Sequence, residues 1–264
     1  MAYASFHQPG SENPGTINSN ATELTTSKGM GKVYLYMGLG LVITALVALG
    51  VGAFFAGWLT NWTYDVVNIE NASSNAVYTF FGVVIVSFIG LLIDAIVMGA
   101  VLARERHSIW PHYIIYSVLM GAALSVIIAA GASFTVIGEA FGISALAFIV
   151  MGLIGYFSKK DLNILAMVAY AALMMLMLIG LVFAILYFVM PMAYVIWAVS
   201  TSAVVSLLML LVVAVDTYNI KKIIARSQAS ENVYLYCAYT MYSDFIVIFL
   251  RVLYVLMVLK GNDK

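Results

Sequence analysis

Seven stretches of this chain are apolar for longer than a soluble domain can hide. They cover residues 33–59, 77–102, 111–132, 134–157, 162–188, 191–215 and 233–259. A helix rises about 1.5 Å per residue and the hydrocarbon core of a bilayer is about 30 Å thick, so roughly 20 apolar residues cross it. Lipid offers backbone N–H and C=O groups no partner, so a crossing segment must bond internally, as a helix. The alternative, a β-barrel, would show short alternating segments, which are absent. The expected fold is an all-α membrane protein with seven transmembrane helices over residues 33–259. Residues 1–32, polar and rich in Ser, Asn, Thr and Gly, read as a disordered cytosolic tail, and 260–264 as a short C-terminal tail. No short apolar stretch follows a basic start, so a cleaved signal peptide is not expected. The third and fourth spans are parted only at "AAGASF" and the fifth and sixth at "FVMPMA", which predicts tight hairpins.

Composition agrees. Of 264 residues, 64% are hydrophobic and 9% charged, against about 25% charged in a soluble domain. The formal net charge is +0 and there is no basic tract, so the partner implied is the lipid bilayer and not nucleic acid. One cysteine, Cys237, rules out an internal disulfide and a cysteine metal cluster. His7, His107 and His112 lie in the tail or near a loop, and none shares a span core with a carboxylate, so a buried histidine metal site is not expected. No resident cofactor is implied.

Lysine and arginine set the orientation. Lys28 and Lys32 precede the first span, Arg104 and Arg106 follow the second, Lys159 and Lys160 the fourth, and Lys221, Lys222 and Arg226 the sixth. The loops after spans one, three and five carry none. The positive-inside rule then predicts a cytosolic N-terminus and, with an odd number of spans, a C-terminus on the other side; Lys260 and Lys264 run against it. "NWT" and "NAS" at Asn61 and Asn71 match glycosylation sequons, as chance matches in an Asn-rich loop also do.

Five ionisable residues remain in or at the edge of spans: Asp94, Glu139, Asp216, Asp244 and Arg251. Each costs about 2.5–3.5 kcal/mol at a helix centre, so each should face protein or water. Counting rise per residue puts Asp94 roughly 12 Å and Asp244 roughly 17 Å from the basic side, with Asp216 at the end of its span and Glu139 toward the opposite side. That order suggests a polar line through the bundle, an ion pathway in which Asp94 and Glu139 take part. Carboxylates suit hard cations such as Ca²⁺. Two close carboxylates cannot both ionise cheaply, so they would share a proton and respond to pH. Plainer readings stand beside these: Asp216 as a solvated helix end, Asp94 snorkelling or paired with Arg104, Glu139 as an interfacial acid, and Arg251 as a structural ion partner for Asp244 two turns away.

Three motifs resemble the Bax inhibitor family, the transmembrane Bax inhibitor motif proteins, in its bacterial form. They are "GEAFGISALAFIVMGLIGYFSKKDLN" at 138–163, "AVDTYNIKKI" at 214–223 and "YTMYSDFIVIFL" at 239–250. The resemblance covers about 33–259. It implies a central seventh helix wrapped by the other six and a pH-sensitive Ca²⁺ leak. In that picture Asp216 and Asp244 form the proton-sharing sensor pair and a calcium position. Arg104, or next to it Arg106, locks the gate, and Glu139 matches an acidic position of bacterial members. This chain departs from the pattern at Val215, Val247 and Arg251, where the family has a tyrosine, an asparagine and a small or polar residue.

The leading functional expectation is a proton-modulated Ca²⁺ pathway, with Ca²⁺ and protons as cargo and regulator. The alternative is a non-transporting membrane adaptor in cell-death or stress signalling. An enzyme is not expected: Asp216 and Asp244 lack the Gly-x-Gly-Asp setting of intramembrane aspartyl proteases, and no span-core histidine stands beside a serine. The expected location is a bacterial plasma membrane, with ER or Golgi membrane as the alternative.

Overall fold

The structure, a computed structural model, describes residues 19–58, 74–104, 108–129, 132–186, 191–226 and 230–261. They form seven α-helices: α1 Ser19–Trp58, α2 Ser74–Arg104, α3 Trp110–Ala129, α4 Phe134–Phe157, α5 Asn163–Leu186, α6 Pro191–Arg226 and α7 Glu231–Gly261. Each contains a segment long and apolar enough to cross a membrane, and no strand occurs among the described residues. Local chemistry marks several starts. Ser133 caps α4, its hydroxyl accepting from Thr135 N. Asp161 accepts from Asn163 N as α5 begins. Pro191 opens α6, where the missing N–H leaves no bond unmade.

The helices alternate in direction, so Lys32, Lys160, Lys222 and Glu231 gather at one end of the bundle and Glu139 and Lys260 at the other. These are called the lysine-rich end and the far end below.

The centre belongs to α7. α1, α4 and α6 pack along it, and α2 and α3 touch it more sparingly. Leu235, Ala238, Met241, Tyr242, Phe245, Ile248 and Leu253 are all buried on it. α5 packs on α6 from outside, with Met174, Met177, Leu178 and Leu181 exposed. Exposed apolar side chains cover the outer faces of α1, α2 and α4 as well, which is the surface a lipid solvent demands.

Two expectations change. Residues 19–32, read as disordered tail, are the first turns of α1. Tertiary packing explains it: Thr26, Met30 and Val33 are buried, and Gly29 fits against Ile224 of α6 and Tyr234 of α7. Polar composition hid a segment that leans on protein, not lipid. The hairpin expected between spans three and four changes in its packing: α3 ends at Ala129 and α4 starts at Phe134, yet the two helices do not pack along each other. α3 packs on α1 and α2, whereas α4 packs on α6 and α7. Their divergence leaves an apolar crevice of about 340 Å³ lined by Leu41, Ala45, Ile127, Ile137, Phe141 and Phe249 among others. The joining residues 130–131 lie outside the described residues. α5 and α6 do pack against each other as expected.

Without a hydrophobic drive between helices in lipid, association rests on close packing, and small residues permit it. At Gly155 of α4 an added Cβ would lie 2.1 Å from the Ala214 carbonyl oxygen of α6. At Gly121 of α3 it would lie 2.7 Å from the Thr44 carbonyl oxygen of α1. Both contacts are to backbone, which cannot rotate away. Gly155→Val should therefore force α4 off α6 and lower stability by about 1–3 kcal/mol or more. Thermal unfolding in detergent micelles reads this; an unchanged midpoint would show that the two backbones do not touch.

Candidate functional site

The buried acids and tyrosines collect toward the lysine-rich half, and each set ties two or more helices together. The first is the aspartate pair. Asp216 on α6 is half-buried and Asp244 on α7 is 8% exposed. Their carboxyls lie close enough to interact directly. An ionised carboxylate only accepts, so a hydrogen bond between two such groups needs one proton held between them. The Tyr170 hydroxyl of α5 donates to Asp216 Oδ1 at 3.4 Å, while Asp244 Oδ2 is buried without a partner among the described residues.

The second set is one the sequence reading missed. Asp94 on α2, 7% exposed, accepts from His112 Nδ1 on α3 at 2.9 Å. Its Oδ2 is buried without a hydrogen-bond partner among the described residues. Histidine was set aside because His112 stands near a loop. Depth counting failed because α2 overhangs α3. Asp94 is ten residues from the end of α2 and His112 two from the start of α3, an offset of roughly 12 Å at the helical rise. The Trp-Pro opening of α3, which places His112 in its first turn, was the available signal.

The third set is made of tyrosines, first read as filler and interfacial belt. Tyr113 and Tyr242 are fully buried. Tyr113 donates to the Tyr36 carbonyl at 2.7 Å, and Tyr242 shares a 2.6 Å hydroxyl bond with Thr44, which donates to the Ser117 carbonyl at 3.0 Å. Tyr116 meets Ser243 at 3.4 Å and stacks edge-on with Tyr239 and Tyr242. At the surface of this end Glu231 bonds the Tyr36 hydroxyl and pairs with Lys32, Asn232 accepts from Ile109 N, and Lys221 donates to the Tyr156 carbonyl. α1, α3, α4, α6 and α7 are thereby cross-tied.

The polar line expected from Glu139 to the aspartates is not continuous. Glu139 is exposed and bonded to Lys260, which also accounts for a lysine at the far end. Between it and the aspartates, Phe245 packs edge-on against Phe141 at 5.4 Å and Phe148 at 5.7 Å, with Phe249 beyond. Apolar rings fill this half.

Arg251 is not the ion partner of Asp244. It is exposed and makes no ion pair among the described residues. Two turns of helix separate them by about 10 Å, and Asp244 is turned to Asp216. Asp244 marks the α6 flank of α7, and Ser243, bonded to Tyr116, the α3 flank. Between the flanks runs an uncovered strip through Tyr236, Val247 and Arg251. α2 and α6 border it without packing on one another. The side chain of Arg104 and the whole of Arg106 lie outside the described residues. So do His7 and His107.

Seven helices long and apolar enough to cross a membrane, with Asp94 and Asp244 buried among them, define a multi-pass integral membrane protein. A family profile described as "Inhibitor of apoptosis-promoting Bax1" matches residues 26–262, and the chain belongs to this Bax inhibitor family. It is similar to uncharacterized membrane proteins of Streptococcus pyogenes serotypes M1, M6 and M3. Each is 29% identical over 214 residues, which is 80% of this chain and 88% of theirs.

Replacing Arg251 tests the geometry of α7. Removing one member of a buried ion pair costs about 3–5 kcal/mol. Arg251→Leu should instead leave stability unchanged or higher, because it removes an exposed guanidinium from a span. A large fall in the unfolding midpoint in detergent would place Arg251 back on Asp244.

Proposed function

We propose that this protein is a passive, proton-modulated cation pathway whose gate is the Asp216–Asp244 pair and whose ion is Ca²⁺. The observation that carries the reading is the contact between two carboxyls on neighbouring helices, one half-buried and one buried. With one proton the pair holds α6 to α7. When that proton leaves, two negative charges face each other in a medium of low dielectric, and their repulsion acts on the helix contact. The same charge separation creates an oxygen-rich site for a hard cation. Asp216 is the member open to the surroundings, so exchange of the proton or the ion proceeds through it. The N-terminus and the lysine-rich end face the cytosol in this reading, by the distribution of Lys and Arg.

The ring layer of Phe141, Phe148, Phe245 and Phe249 lies toward the far end of the pair. A hydrated ion crosses it only if the rings separate, so this arrangement corresponds to the shut pathway.

Ca²⁺ flux into proteoliposomes, followed across pH 5 to 8, tests the proposal. Wild-type flux should vary with pH. Asp216→Asn and Asp244→Asn should each flatten that dependence, because an amide cannot exchange the proton. Flux that keeps its pH profile in both variants rejects the gate, and purified protein that leaks nothing at any pH favours the adaptor reading.

A further inference from the structure

We infer that Asp94 and His112 form a second proton-binding site, separate from the aspartate pair, which clasps α2 to α3. α2 packs mainly on α3, touches α1 and α7 slightly and does not pack on α6, so what holds it to α3 fixes its place in the bundle. Within that contact a carboxylate 7% exposed is bonded to an imidazole whose side chain is 26% exposed, at 2.9 Å. Neither group is otherwise neutralised. Among the described residues no lysine or arginine pairs with Asp94, and its second oxygen is buried without a partner.

Imidazole is the side chain whose charge ordinarily changes in the neutral range. Protonated, it makes a neutral ion pair with the carboxylate through a charge-assisted bond about twice as strong as a neutral one. Unprotonated, it leaves a net negative charge in a span, held by one ordinary bond, and an uncompensated charge there is costly. The sign follows: a proton on the imidazole strengthens the clasp and its departure weakens it.

Among the described residues, the surrounding groups do not supply a competing charge. α3 offers the Tyr116 hydroxyl, close enough for Asp94 to act on it electrostatically. α7 offers Tyr239 and Ser243, both engaged with Tyr116. α1 offers Tyr36, whose hydroxyl is taken by Glu231, and Lys32, which pairs with Glu231. Asp244 is turned to the α6 side. The partly exposed imidazole is the route by which a proton reaches the buried carboxylate.

The site stands apart from conduction, so its test does not use flux. Spin labels on the full chain in nanodiscs, at Ile85→Cys on α2 and Ile149→Cys on α4 in a Cys237→Ala background, report the position of α2. Both label positions are exposed. The distance distribution should narrow as pH falls from 8 to 6. Asp94→Asn and His112→Gln should each abolish that change, while Asp216→Asn should leave it intact. His112→Gln keeps a donor side chain, and thermal unfolding confirms that each labelled variant is folded before its distances are read. A distribution that does not move with pH in the wild type overturns the clasp. So does a pH response that survives in both clasp variants, or one lost in Asp216→Asn. Wild-type Ca²⁺ flux that does not vary with pH, beside an intact distance response, would sink the aspartate gate alone.

Discussion

Hydrocarbon solvates neither charges nor unpaired hydrogen-bonding groups, and this bundle is organised by that fact. Each buried acid is answered by a group on another helix: Asp216 by Asp244, Asp94 by His112. The buried tyrosines follow the same rule through Tyr36, Thr44 and Ser117. A polar side chain that must find its partner elsewhere in the protein becomes a cross-link between helices. The groups that cost most to place in a membrane are thus the ones that fix which helix lies beside which.

The two halves of the molecule are consequently different materials. Toward the lysine-rich end, hydrogen bonds tie α1, α3 and α7, and ion pairs surround them. Toward the far end, phenylalanine rings and an apolar crevice take over, with Glu139 and Lys260 paired on the outside. For the proposed pathway, proton and ion chemistry sits in the first half and the barrier to permeation in the second. Coupling between them need not travel far, because Asp244 and Phe245 are adjacent residues on the same central helix.

The fold was largely readable because lipid leaves a sequence few options. Uninterrupted apolar length gave the seven helices, and the spacing of Lys and Arg gave their alternation. What could not be read was packing partners. Residues 19–32 look disordered by composition, and their packing, with Gly29 seated against Ile224 and Tyr234, is not visible there. The divergence of α3 and α4 has no local signature, since each finds better contacts elsewhere. At the site, the inward acids were visible because a charge in an apolar run is conspicuous. Their partners were not. Arg251 lies two turns from Asp244 on a helical wheel yet faces the open strip, and His112 looked peripheral until the overhang of α2 brought Asp94 to it. Sequence spacing measures distance along one helix and says little about offsets between two.

The central position of α7 bears on how the molecule is made. Synthesis proceeds from the N-terminus, so the helix at the middle leaves the ribosome after every helix that packs on it. The six earlier helices cannot close into a finished ring before it arrives. Among the described residues α2 and α6 are the neighbours that do not seal against each other, and α7 shows its one uncovered face on that side. A helix inserted from that side would come to rest with that face outward.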